Sequence, residues 1–266
     1  MFRHILVGIN KGEVEMIFDK TKLKVVIIDY PILALDNPDC SRIFGKTLKM
    51  KYEGYATAYN NKILPMDKTD FFGTHLILCE EIENELFPIF SYKSVTLDRC
   101  KFHEMEFPIL SLMLNDGHPT CAETINKIIS SVDASAISYD SSWAQDIKYR
   151  FTKSPELKIL LGEIAMMFMV RHHQDAKISN VITNGVVKVK TDLFFQKLGF
   201  KKLTENENSH FIQKNLDNEE CIIFHTNEFS FEALSCAKKH QALWDNKLMI
   251  DGLEISRVAR STRKTA

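Results

Sequence analysis

Apolar positions recur along this chain with two periods, and the period sets the element expected at each point. Residues 5–9, 14–18 and 24–29 are short runs rich in branched side chains, parted by Asn-Lys-Gly and Asp-Lys-Thr turns, and they predict a strand-rich entry over residues 1–35. From Arg42, the residues Phe44, Leu48, Tyr52 and Tyr55 return every three or four positions, the stripe of a helix reaching about Ala58. A loop is expected through Asn60, Asn61 and Leu64 to Asp67, followed by strands over 74–80 and 87–97. Pro108 interrupts the next stretch, and residues 115–120 (Asn-Asp-Gly-His-Pro-Thr) read as a turn. Thr120 and Glu123 have the spacing of a capping box for a helix carrying Ile125, Ile128, Ile129 and Val132.

Extended segments are expected at 134–139 and 146–151, the second because Ile147, Tyr149 and Phe151 alternate with Asp146, Lys148 and Arg150. The strongest helix follows. Ser154 suits its cap, Pro155 and Glu156 its first turn, and Leu157, Leu161, Ile164 and Phe168 its buried face, up to His172 and His173, read as its polar end. Beyond it the pattern predicts a strand at 178–183, a turn at Asn184-Gly185 and a helix over 190–198 stopped by Gly199. Strands at 201–204, 210–214 and 221–225 and a helix over 229–244 complete the series, without repeats. Helices and strands mixed in this way describe an α/β or α+β domain around one sheet.

Composition narrows the class. The 266 residues are 45% hydrophobic and 26% charged, with a formal charge of -1, which suits a large buried core and gives no general attraction to nucleic acid. The basic end, Arg257, Arg260, Arg263 and Lys264, has no acidic residue after Glu254 and reads either as a solvated terminus or as a patch for nucleic acid, an anionic membrane or an acidic carrier protein. The six cysteines form no CxxC pair and none has metal-ligand spacing to a histidine, so free thiols, no metal site and a cytoplasmic setting are expected. No leader pattern is seen at the start, and the apolar runs fall short of the roughly 18 residues of a membrane span.

Two phrases carry a resemblance. Asp192-Leu-Phe-Phe-Gln-Lys-Leu-Gly-Phe200, with the helix, strand and helix before it, resembles the second half of the GNAT acyltransferase fold. Upstream, Lys51-Tyr52-Glu53-Gly54-Tyr55, the loop Leu64 to Lys68 and the strand phrase Thr74-His75-Leu76 are similar to the acyl-homoserine-lactone synthases and long-chain N-acyl amino acid synthases, although Lys51 stands where those enzymes have Arg. The matches span about residues 42–204.

The resemblance implies a GNAT-like mixed, bent sheet with helices on both faces and a splayed parallel strand pair, here matched to 146–151 and 178–183. A single domain over 1–228, with a C-terminal helix and basic tail over 229–266, is expected. The implied activity is N-acyl transfer from acyl-CoA or acyl-carrier protein, as a substrate and not a tightly bound cofactor, to a small amine or amino acid. Arg150, Thr152, Lys153, Ser154, Phe194 and Phe195 would then meet the donor; Lys51, Tyr52, Asp70 and His75 the acceptor; and Asp146, Glu53 and Tyr149 the chemistry. The family's glycine-rich phosphate turn is missing, since no glycine lies between Asn126 and Gly162. That is compatible with a carrier-protein donor, or with a non-catalytic GNAT-like regulatory or interaction domain.

Overall fold

The computed structural model describes residues 19–59, 63–116, 118–204 and 209–257. The expected strands at 5–9 and 14–18, the loop at Asn60 and Asn61, and the basic residues Arg260, Arg263 and Lys264 lie outside them. In chain order the elements are β1 (Leu23–Asp29), α1 (Pro38–Ala58), β2 (Thr74–Ile82), β3 (Glu85–Thr96), α2 (Leu97–Phe102), α3 (Pro108–Asn115), α4 (Pro119–Ser131) and β4 (Ile137–Gln145). They continue with α5 (Ile147–Arg150), α6 (Pro155–Asp175), β5 (Asn180–Val186), α7 (Thr191–Lys197), β6 (Lys201–Lys202), β7 (His210–Gln213), β8 (Glu219–Thr226), α8 (Phe231–Lys239), α9 (Gln241–Asp245) and β9 (Leu248–Asp251).

The strands form one bent, mixed sheet ordered β6-β8-β5-β4-β3-β2-β1-β9, with β7 also on β8, flanked by helices in a GNAT-like topology. Side-chain alternation divides the core between its two faces. Val25 and Ile27 of β1 meet α6 and α8 on one face, whereas Val26 and Ile28 meet α1 on the other. Ile137 and Tyr139 of β4 pack with α2, α3 and α4 on that second face. Helix α6 holds the first core together: Leu157, Leu161, Ile164 and Phe168 are all buried, each worth about 1.5 to 3 kcal/mol relative to exposure.

Two features of the sheet position the site. β4 and β5 are parallel neighbours joined by α6, and their pairing ends at Asp140↔Thr183, although β4 runs on to Gln145 and β5 to Val186. Beyond that point β4 is held only by β3 and β5 only by β8, so the two strands part. The second feature is a β-bulge in β4 between the pairs Ser91↔Ala144 and Lys93↔Ser141, where Ser142 has φ 62°. The extra residue reverses the alternation. Ile137 and Tyr139 face the α3 side, but Trp143 turns to the α6 side and stacks on Tyr92 with centroids 4.5 Å apart.

Several expectations are corrected. Residues 146–151 are a turn of helix and not a strand: Asp146 caps α5 by accepting from the Lys148 N–H at 2.8 Å. Their alternation misleads because Ile147 and Phe151 are exposed. The splayed partner of β5 is therefore the preceding segment, β4. Thr120 is no cap, because α4 begins at Pro119 with His118 before it. Asn184-Gly185 is not a turn but the middle of β5, paired with Ile223 and Ile222. Gly185 is needed there for close approach, since a Cβ would stand 2.7 Å from the Asp192 nitrogen. His172 and His173 are not a polar helix end; both are buried, and His173 Nε2 lies 3.1 Å from buried Asp140. Gly199 does end α7 as expected, with φ 96°.

Candidate functional site

Where β4 and β5 part, a cavity of about 770 Å³ passes between them and reaches both faces of the sheet. On the α6 face its wall is apolar, built from Phe90, Trp143, Leu161, Gly162, Ala165 and Phe194. On the other face apolar side chains, among them Ile63, Met105, Leu112 and Leu216, share the wall with polar groups. Tyr55 and Tyr59 of α1 meet there with Tyr139, Asn184 and Gln213. The Tyr139 hydroxyl donates to Asn184 Oδ1 at 2.6 Å, and Asn184 Nδ2 donates to Gln213 Oε1 at 3.0 Å. Burial holds the phenols of Tyr55, Tyr59 and Tyr139 far above the ordinary tyrosine range, so they are neutral donors and not bases. Gly54 belongs to this wall because α1 lies close to β4; a Cβ there would meet the Gln145 carbonyl at 3.4 Å.

Behind the loop that carries Asp67 and Asp70 lies a buried ion network. Asp70 is fully buried and accepts from Lys51 Nζ at 2.8 Å, with Lys93 Nζ at 3.2 Å on its other oxygen. It also accepts from the Asp67 N–H at 2.8 Å, closing a reciprocal cap on the 3₁₀ turn Lys68–Phe71. Lys93 reaches on to Asp67 at 3.0 Å, and Asp67 lines the cavity. Burial alone would raise the Asp70 carboxyl, but Lys93 and Lys51 overcome it and bring it to about 2. Burial, followed by the neighbouring Lys93, lowers Lys51 to about 8. His75, packed on Phe44 with its Nε2 2.7 Å from the Asp70 carbonyl oxygen, is lowered by burial to about 4 and is a neutral ring. For Asp67, burial is again outweighed, here by Lys93, and the carboxyl lies below its ordinary value.

The residues anticipated from sequence fall in several places. Lys51, Asp70 and His75 come together in the network, with Lys93 and Asp67 as partners that sequence reading missed. Lys93 gives no warning in the sequence beyond being a lysine inside an otherwise strand-forming run. Tyr52 and Glu53 lie on the exposed side of α1, with Glu53 3.8 Å from Lys49. Asp146 is committed to its helix cap, and Tyr149 lines the cavity while its hydroxyl donates to Glu80.

Arg150 lines the cavity and donates to the Gly54 carbonyl at 3.4 Å, whereas Thr152, Lys153 and Ser154 are not part of the wall. The start of α6 is filled by the chain itself. Ser154 Oγ accepts from the Leu157 N–H at 3.2 Å, and the Lys158 N–H donates to the Ser154 carbonyl at 3.2 Å. Glu156 bonds its own backbone N–H and accepts from the Ser154 hydroxyl at 2.9 Å. Phe194 lines the apolar wall, but Phe195, Leu198 and Phe200 are core. Among the described residues no group of three or more His, Cys, Asp or Glu is placed to hold a metal, and no helix is long and apolar enough to cross a membrane.

No protein-family model and no curated protein matches the chain. Solved structures do. The AHL synthase LasI is 12% identical, with 85% of this chain and 95% of that one covered at a TM-score of 0.47. FeeM, an N-acyl amino acid synthase from uncultured soil microbes, is 13% identical, with 77% and 91% covered at 0.43. The CoA-dependent acyl-homoserine lactone synthase BjaI, with SAM and isopentyl-CoA, is 10% identical, with 89% and 99% covered at 0.47. These are likenesses of chain path.

Proposed function

We propose that the chain is an N-acyltransferase that moves an acyl group from a thioester to a small amine or amino acid. The observation that carries this reading is the passage through the sheet where β4 and β5 part, with Phe90, Trp143 and Phe194 on one side of it and the phenol and amide groups of Tyr55, Tyr59, Tyr139, Asn184 and Gln213 on the other. Strand edges that no longer pair with each other offer backbone donors and acceptors, which suits the two amides of a pantetheine arm. The apolar wall suits the acyl side of the thioester, and the phenol and amide groups of the other wall suit a polar acceptor. Asp67 supplies an ionised carboxylate facing the cavity. Its lowered pKa makes it a poor base and a partner that holds a substrate ammonium by charge; the amine gives one proton to water before it attacks the thioester carbonyl, and the departing thiolate takes up the second proton that the new amide nitrogen sheds.

The donor is better matched by acyl-carrier protein than by acyl-CoA. The first N–H groups of α6, the usual seat for a diphosphate, are already bonded to Ser154 and Glu156, while Arg150 and Lys158 leave two cations on the cavity wall for a single phosphate. The filled helix start also favours the competing reading, a non-catalytic GNAT-like interaction domain. Calorimetry and native mass spectrometry with acyl-CoA and acylated carrier protein, followed by transfer assays over a panel of amines and amino acids, separate the two. Binding of an acylated donor and formation of an amide are expected. A folded chain that binds neither donor would leave only the non-catalytic reading.

A further inference from the structure

We infer that the segment joining β4 to α6, residues 146–159, docks on an anionic lipid surface and sets the cavity mouth against it. The inference starts from an alternation that the fold does not use. Ile147 and Phe151 alternate with charged residues as the buried face of a strand would, yet they are 38% and 62% exposed. Ile159, in the first turns of α6, is 63% exposed. Single exposed apolar residues are ordinary, but three large ones so close together in one short segment make a patch. Acyl transfer by the cavity does not require it, and it does not rest on that reading.

The patch is fixed from beneath. Ile147 opens α5 and Phe151 follows its last residue, four positions on, so both side chains fall on one side of that turn. The other side is anchored: Tyr149 is buried with its hydroxyl donating to Glu80, and Arg150 donates to the Gly54 carbonyl while its guanidinium lies 5.7 Å from the Phe151 ring. Ile147, Phe151 and Ile159 do not line the cavity, but Tyr149, Arg150 and Lys158 beside them do, so the patch borders its mouth.

The charges among these side chains point to the occupant. Lys148 and Lys153 are exposed on the same segment, and Lys148 has only a loose surface contact with Glu80 at 4.0 Å. The segment's two carboxylates are committed, Asp146 to the Lys148 N–H and Glu156 to its own N–H and the Ser154 hydroxyl. Arg150 and Lys158 face the cavity and add to the positive field without taking part in the contact. Lysines beside projecting apolar side chains match a bilayer interface, where ammonium groups meet lipid phosphates and the ring and branched chains enter the acyl boundary. An acidic protein would also be drawn to the lysines, but it would have to bring a pocket shaped for three separate side chains, whereas a bilayer needs none.

The test is sedimentation of the full chain with vesicles of phosphatidylcholine, alone or mixed with phosphatidylglycerol, at two ionic strengths. Wild type should bind the anionic vesicles at least about tenfold more tightly than the neutral ones, and less tightly as salt rises. Phe151→Asp should weaken binding to the anionic vesicles by about tenfold or more at both salt levels, because the loss is of apolar burial. Lys153→Glu should weaken it by about fivefold or more, chiefly at low salt. Both variants should melt within about 2 °C of wild type, since neither side chain is buried. In Phe151→Trp, the emission should shift to the blue on anionic vesicles and stay unchanged on neutral ones. A folded wild type that ignores anionic vesicles would overturn the proposal. So would binding that survives both Phe151→Asp and Lys153→Glu, which would place the contact elsewhere, as at the basic end. If Phe151→Asp instead weakens binding of an acidic carrier protein while no vesicle is bound, the patch is a protein interface and the proposal fails.

Discussion

The loop at Asp67–Asp70 and the turn at Thr152–Glu156 are the two polar stretches that the family resemblance places beside acceptor and donor, and they are built in opposite ways. In the first, charge is buried and shared: Asp70 has no exposed surface and lies between Lys51 and Lys93, with His75 kept neutral beside it. In the second, charge stays at the surface. Lys153 is exposed, and the helix start satisfies its own N–H groups through Ser154 and Glu156. A buried ion is expensive unless it is paired, so the first arrangement is all-or-none, whereas each part of the second can be removed at small cost. The contrast predicts a ladder of effects.

The largest belongs to Asp70. Asp70→Ala would leave two buried lysines without their shared anion and should cost about 3 to 5 kcal/mol in urea unfolding. A loss near 1 kcal/mol would mean that the network opens to water and that the two regions do not differ in the way described.

Acid probes the same network without mutation. The folded His75 titrates near 4, below its ordinary 6.5, so the unfolded chain binds more protons between those values. Stability is then complete above pH 6.5 and is lost as pH falls toward 4, by an amount on the order of 3 kcal/mol. His172, lowered by burial to about 3, acts in the same direction over the same window and slightly below it. Asp70, at about 2 against 3.8, adds a further loss below pH 3.8. Denaturant midpoints measured from pH 7 to 3 should fall steadily, and His75→Gln should flatten the upper part of that fall. A flat wild-type profile between 6.5 and 4 would contradict the buried neutral ring.

The helix start should respond far less. Ser154→Ala removes one cap hydrogen bond and should cost about 1 kcal/mol. The smallest effect on folding is expected at Lys153, where Lys153→Glu should change stability by less than about 0.5 kcal/mol. Because Lys153 does not line the cavity and Lys158 does, Lys158→Glu should weaken donor binding, and more so at low salt, while Lys153→Glu has little effect. If calorimetry at two ionic strengths gives the reverse order, the donor's phosphate sits at the turn and not on the cavity wall.

What sequence alone determined about this protein was the local, periodic part. The 155–171 helix with its four named buried residues, the strands β1, β2, β3 and β8, and the Gly199 stop all follow from side-chain spacing and from the conformations single residues allow. Lys51, Tyr52, Asp70 and His75 were grouped through the family resemblance, although Asp70 lies outside its phrases; Lys51, Asp70 and His75 meet in the network, while Tyr52 is exposed. What only the tertiary structure decided depends on where neighbouring strands begin and stop pairing, which no local period records. The bulge at Ser142 turns Trp143 onto the opposite face from Ile137 and Tyr139, so reading alternation through it fails, and residues 146–151 took the place that belongs to β4. Lys93 is buried because two carboxylates 23 and 26 positions away fold against it, and a lysine in a strand cannot announce such partners. The cavity exists because β4 and β5 part after Asp140 and Thr183, a change of strand pairing that no local pattern of side chains announces.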